Sequence, residues 1–115
     1  KKNVNFLIPN LFKKINNNKK EITFNNLNHY RDFLTSSKIS KIINLLRKKK
    51  FVGVINIASG QETCLKDLAT FLSKKKGKEV VFNDNKINTK IIANINKLNK
   101  LKWKTKKLNF FNFFD

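Results

Sequence analysis

The stretch Val52-Gly53-Val54-Ile55-Asn56-Ile57 leads directly into Ala58-Ser59-Gly60-Gln61 and then into a helical pattern. Its dense β-branched run, interrupted by one Asn, predicts a strand buried on both faces. Ala58-Ser59-Gly60-Gln61 reads as the turn that ends it. Leu65, Leu68, Ala69 and Leu72 then share one face of a helix that begins at Thr63 or Cys64. That helix stops at Lys74-Lys75-Lys76-Gly77, where cations oppose the helix dipole and glycine allows the chain to turn.

Working outward, Glu79 to Phe82 reads as a further strand, Asn83 to Asn88 as an irregular polar loop, and Lys90 to Ala93 as a brief extended piece. Asn96 is placed to cap a short helix carrying Leu98 and Leu101 toward Trp103. On the other side, Ile8, Leu11, Phe12 and Ile15 follow the helical template, with Pro9 in the first turn, where its missing N–H costs nothing. Glu21-Ile22-Thr23-Phe24 reads as a strand and Asn25 to Tyr30 as a polar loop. A second extended segment, Arg31-Asp32-Phe33-Leu34, precedes a helix with Ile39, Ile42, Ile43 and Leu46 on one face. Thr35, Ser36 or Ser37 can cap that helix, and Lys48-Lys49-Lys50 ends it. The expected order is α-β-β-α-β-α-β-α, a small mixed α/β domain covering residues 1–115.

With 115 residues the chain can bury one modest core. Its net charge of +19 invites a phosphate-rich partner. Of the 26 basic residues, however, only Arg31 and Arg47 are arginines, and base readout favours the planar guanidinium fork. Lys, Asn, Ile and Phe, all with A/T-rich codons, make up 66 of the 115 residues, so codon bias accounts for the lysines. The expectation is no nucleic-acid partner and no membrane partner. Cys64 is the single cysteine, so no internal disulfide can form, and no cysteine–histidine spacing suggests zinc. The Asn109-Phe110-Phe111-Asn112-Phe113-Phe114 run is apolar but too short to span a bilayer. A cytoplasmic chain is expected.

Three segments resemble the extended short-chain dehydrogenase/reductase family, the NAD-dependent nucleotide-sugar epimerases and dehydratases. Tyr30-Arg31-Asp32-Phe33-Leu34, with the helix after it, looks like the family's Arg-Asp-aromatic strand and following helix. Gly53-Val54-Ile55-Asn56-Ile57-Ala58-Ser59-Gly60, with Leu65-Lys66-Asp67-Leu68 behind it, is similar to the strand, Asn-x-Gly-Ser-Gly turn and helix. Ala93-Asn94-Ile95-Asn96-Lys97-Leu98 and Leu101-Lys102-Trp103 resemble the Ala-Asp-x-Ser-Lys and Leu-Gly-Trp patterns. The likeness runs from Phe6 to Lys107.

This resemblance implies a C-terminal substrate-binding lobe whose Rossmann half, with the Gly-rich fingerprint and the Tyr-x-x-x-Lys pair, is missing. NAD or NADP would be bound by that missing N-terminal half. The implied substrate is a nucleoside-diphosphate sugar, the implied reaction an epimerisation, dehydration or reduction, and the parent enzyme a possible homodimer. Arg31 becomes the pyrophosphate ligand, since a guanidinium can hold two phosphate oxygens at once. Phe6, Leu7 and Ile8 with Ile22 and Phe24 would lie around the base and ribose. Phe33 adjoins Arg31, and Lys86 stands near the family's second pyrophosphate group. Leu7 and Ile22 read equally well as core. The resemblance assigns this fragment no catalytic residue and no metal ligand.

Asn56, inside an apolar strand, needs a partner and is expected to pin the Ser59-Gly60 turn. Trp103 reads as packing, with its indole N–H directed to a carbonyl or water. His29 reads as solvated. Two other function classes remain in view: a lysine-rich nucleic-acid-binding module, and a truncated, non-catalytic interaction domain.

Overall fold

The computed structural model describes residues 6–103, so the Phe-rich stretch at 109–114 lies outside it. Among the described residues there are four helices and two small sheets. The order is α1 (Leu7–Ile15), β1 (Glu21–Asn25), β2 (His29–Arg31), α2 (Ser36–Lys48), β3 (Thr63–Cys64), α3 (Leu65–Lys75), β4 (Glu79–Asn83), β5 (Thr89–Ile91) and α4 (Asn96–Lys100). Two compact units are present, residues 6–29 with Cys64–Thr89 and Tyr30–Thr63 with residues 90–103. β2, β3 and β5 form a sheet in the order β3-β2-β5.

The first unit holds most of the buried apolar side chains. β1 pairs in parallel with β4, Glu21 opposite Glu79 and Asn25 opposite Asn83. A parallel pair cannot be closed by a hairpin, and here residues 26–78 make the connection. Alternation along β1 turns Ile22 and Phe24 inward. The Phe24 and Phe82 rings stack with centroids 6.1 Å apart. Helix α1 buries Leu11 and Ile15, and α3 buries Leu65, Leu68, Ala69 and Leu72 against this layer. Both stripes are those expected from the 3.6-residue period.

Helix α3 ends as its sequence requires. Gly77 takes φ +63°, and the N–H groups of Gly77 and Lys78 donate to the carbonyls of Lys74 and Ser73. The Lys78 ammonium then donates to the backbone carbonyls of Asn17 and Lys19, the latter at 2.8 Å, tying the turn after α1 to the turn after α3. A Lys78→Met substitution keeps the apolar stem and strands both carbonyls. It is expected to cost about 1–2 kcal/mol, whereas Lys48→Met on exposed α2 should stay within about 0.5 kcal/mol. Urea denaturation of the two variants checks this, and equal losses would refute it.

In the second unit Thr35 caps α2, its hydroxyl accepting from the Lys38 N–H at 3.4 Å. Ile42 and Leu98 are its only fully buried large apolar side chains among the described residues, while Ile39 and Ile43 are exposed. The main departure from expectation is at residues 52–57. They form no strand, and Val52 and Val54 are 92% and 83% exposed. A strand buried on both faces needs flanking strands and covering layers, and the described residues supply none here. The second extended segment also shifts, to His29–Arg31 in place of Arg31–Leu34.

Candidate functional site

Arg31 is the last residue of β2 and is half-buried. One Nη donates to the carbonyl of Tyr30 at 2.7 Å, which sets the guanidinium against its own strand. The next amide, of Asp32, donates to the carbonyl of Ile91 at 3.2 Å, so backbone pairing positions this segment.

Asp32 carries the architecture around it. Oδ1 accepts from the Ser59 N–H at 2.9 Å and from the Ser59 hydroxyl. Oδ2 accepts from the Gly60 N–H at 2.8 Å and from the Ala93 N–H at 3.3 Å. One carboxylate therefore binds the 59–60 turn and the segment after β5. Gly60, at φ +68°, lets its amide point there, and a Cβ would lie 2.6 Å from Ile95 Cδ1. Asn56 does not pin this turn as expected; its side-chain amide donates to the carbonyl of Asn94 at 2.9 Å. Asn94 Oδ1 in turn accepts from the Asn96 N–H at 2.9 Å just ahead of α4, whose N-cap is Ile95 and not the expected Asn96.

Arg31 and Asp32 line an open cleft of about 320 Å³ whose other walls include Leu34, Ile57, Ala58 and Ile91 to Ala93. An arginine at the wall of a largely apolar cleft suits a ligand with both an anionic and an organic part. Phe33, next to Arg31, is half-buried.

The first unit has a groove of its own, about 510 Å³, between the end of α1 and β1. Lys14, Asn17 and Lys19 line it together with Ile22, Thr23 and Asn25. Among the described residues β4 is the single strand paired with β1, so the other edge of β1 remains open along this groove. Of the residues expected around a nucleotide, Ile22 reaches the groove, although its side chain is buried. Phe24 is 3% exposed, stacked on Phe82 with the Lys14 ammonium 5.1 Å from its ring centroid, so it serves the core and presents no face to a base. Phe6 is exposed, and Leu7 and Ile8 are half-buried, at the opposite end of α1 from Lys14. Lys86 is exposed in the loop between β4 and β5.

Two solved structures share this fold. RMD from Pseudomonas aeruginosa, solved in complex with NADPH, matches with a TM-score of 0.70 and 18% identity over 90% of this chain and 37% of its own. DdhaC matches with a TM-score of 0.62 and 20% identity over 91% of this chain and 34% of its own. The chain thus spans about a third of either protein, and the likeness is one of fold. No protein-family profile matches the sequence, and no curated protein does.

Sequence reasoning missed three features. Asp32 received no role of its own, although an aspartate just ahead of a helix and a later Ser-Gly turn with amides in need of acceptors were both visible. Lys14 and Lys19 passed as members of a lysine background. His29, expected to be solvated, is half-buried on β2 and accepts hydrogen bonds from Thr89. Among the described residues, no cluster of His, Cys, Asp and Glu could hold a metal ion, and no helix is long and apolar enough to cross a membrane.

Proposed function

We propose that the chain is the substrate-binding lobe of an extended short-chain dehydrogenase/reductase acting on a nucleoside-diphosphate sugar. The observation that carries this reading is the fold likeness over 90% of the chain to about a third of a protein solved with NADPH. The exposed, strand-patterned residues 52–57 support it, because they have the composition of a strand whose flanking sheet lies in another part of the enzyme. The parent would be an epimerase, dehydratase or reductase of the cytoplasm, with NAD or NADP held outside this lobe. Only three glycines occur here, and Gly53, Gly60 and Gly77 stand in separate turns, so the chain offers no Gly-rich cradle for a dinucleotide pyrophosphate.

Arg31 is assigned to the diphosphate, with Phe33 beside it. Lys86 and the α1 start, Phe6 to Ile8, are weaker members of the same proposed substrate set.

The test is calorimetry on this chain. Uridine or thymidine diphosphate is expected to bind and NADPH to give no heat. Micromolar NADPH binding by this chain would overturn the division of labour. The competing reading is a lysine-rich nucleic-acid module. Against it, two of the rings on which bases could stack are covered: Lys66 lies 4.8 Å from the Phe82 centroid and Lys90 4.8 Å from that of Tyr30. Duplex binding with a steep salt slope and no response to diphosphates would favour that module.

A further inference from the structure

On the reading of this chain as a nucleoside-diphosphate-sugar lobe, we infer that the cleft beside Arg31 takes a deoxygenated sugar, one with a methyl or methylene group where a common hexose carries a hydroxyl. Asp32 is the one side-chain acceptor among the described residues that line this cleft, and it is saturated. A carboxylate offers about four lone-pair sites. Oδ1 takes the N–H and the hydroxyl of Ser59, and Oδ2 takes the N–H groups of Gly60 and Ala93. Ser59 is spent as well, because its hydroxyl donates to Asp32 and accepts from the Gln61 N–H at 3.1 Å. A ligand hydroxyl entering here meets no open carboxylate to receive its proton.

The rest of the wall is apolar. Leu34, Ile57, Ala58, Ile91 and Ile92 face about 320 Å³ of open space, and Ile57 and Ile91 are 37% and 63% exposed. A methyl group laid against them removes apolar surface from water on both partners. A hydroxyl in the same place gives up water without a new acceptor.

Arg31 decides what kind of molecule brings that group. A neutral apolar segment lying over the cleft would desolvate the guanidinium without supplying an anion, which is costly. A diphosphate supplies the anion, and the sugar bonded to it is the group carried along the apolar wall. The preference this produces is modest. An apolar site discriminates only weakly against an added hydroxyl, and an open cleft lets part of that hydroxyl stay wet.

The experiment is calorimetry on the whole chain with three probes: thymidine diphosphate, its glucose conjugate and its 6-deoxyglucose conjugate, the last two differing by one hydroxyl. The deoxy sugar is expected to bind about fivefold more tightly than the glucose conjugate, the low end for a polar group left unpaired. Ile57→Thr sets a hydroxyl in the wall at a part-exposed position that tolerates it. It should bring the two sugars within about twofold of each other and leave thymidine diphosphate unchanged. Arg31→Lys should weaken all three probes together and keep the ratio of the two sugars. Protection of the Ser59 amide from exchange shows that the Asp32 ties persist in both variants. Equal binding of the two sugars by the parent chain would overturn the inference while leaving the diphosphate at Arg31, and would give the apolar wall to another part of a longer protein. A preference that survives Ile57→Thr would overturn it too, since the methyl group would then lie elsewhere. Failure of all three probes to bind would remove the nucleoside-diphosphate-sugar reading itself, and this inference with it.

Discussion

Replacing Asp32 with alanine is expected to destabilise the chain by about 3–4 kcal/mol, the largest loss of any single substitution considered. The carboxylate accepts from the Ser59 amide and hydroxyl, the Gly60 amide and the Ala93 amide. A hydrogen bond to a charged group contributes about 1.5–3 kcal/mol, and bonds sharing one acceptor group are not additive, so the total falls well short of four times that range. Ser59 is 3% exposed, which leaves its hydroxyl and amide poorly placed to find water once the acceptor is gone. Asp32→Asn offers a sharper comparison. The amide keeps one acceptor oxygen but turns an NH₂ toward backbone donors, so it should lose roughly half as much as alanine. A domain stable by about 5–15 kcal/mol tolerates the second change more readily than the first. Urea denaturation gives the ranking, and amide exchange at Ser59, Gly60 and Ala93 gives the location. Losses below about 1 kcal/mol for Asp32→Ala would show that the turn holds without its carboxylate.

The part of the fold that depends on local periodicity could be read from the residues. Helices α1, α2 and α3 lie within one or two residues of the positions implied by their apolar spacing, and their ends fall at Thr35, at the lysine runs and at Gly77. Strands β1 and β4 were equally clear, but their mutual pairing was not, since 53 residues separate Asn25 from Glu79 and alternation carries no record of a distant partner. Residues 52–57 show the converse limit. Their composition states what surroundings a strand would need, and whether those surroundings exist within 115 residues is a global property. The indole N–H of Trp103 was expected to find a carbonyl or water; it is buried and no acceptor among the described residues takes it. Arg31 stands out by rarity, while the role of Asp32 depends on residues 27 to 61 positions away, and no sequence pattern encodes that proximity.

Arg31→Lys is expected to weaken nucleoside-diphosphate binding by the intact enzyme by about 1.5–3 kcal/mol, the range for a hydrogen bond to a charged group. Arginine and lysine carry the same charge, so the substitution isolates geometry. The guanidinium presents parallel donors that match two oxygens of a diphosphate, and an ammonium offers a point charge on a flexible stem. Here the plane is oriented before any ligand arrives, because one Nη is held on the Tyr30 carbonyl and the adjoining Asp32 amide is paired to Ile91. A lysine at this position would lose that fork. Long-range attraction cannot explain a loss, since net charge stays at +19 in the substituted chain. The discriminating controls are Lys14→Ala and Lys19→Ala in the groove along β1 and Lys48→Ala on α2. If the diphosphate is held at Arg31, titrations of uridine and thymidine diphosphates should show the loss in Arg31→Lys and changes within about 0.5 kcal/mol in the other three. Equal or larger losses in the groove variants, with Arg31→Lys binding like the parent, would move the diphosphate to Lys14 and Lys19 and remove Arg31 from the site.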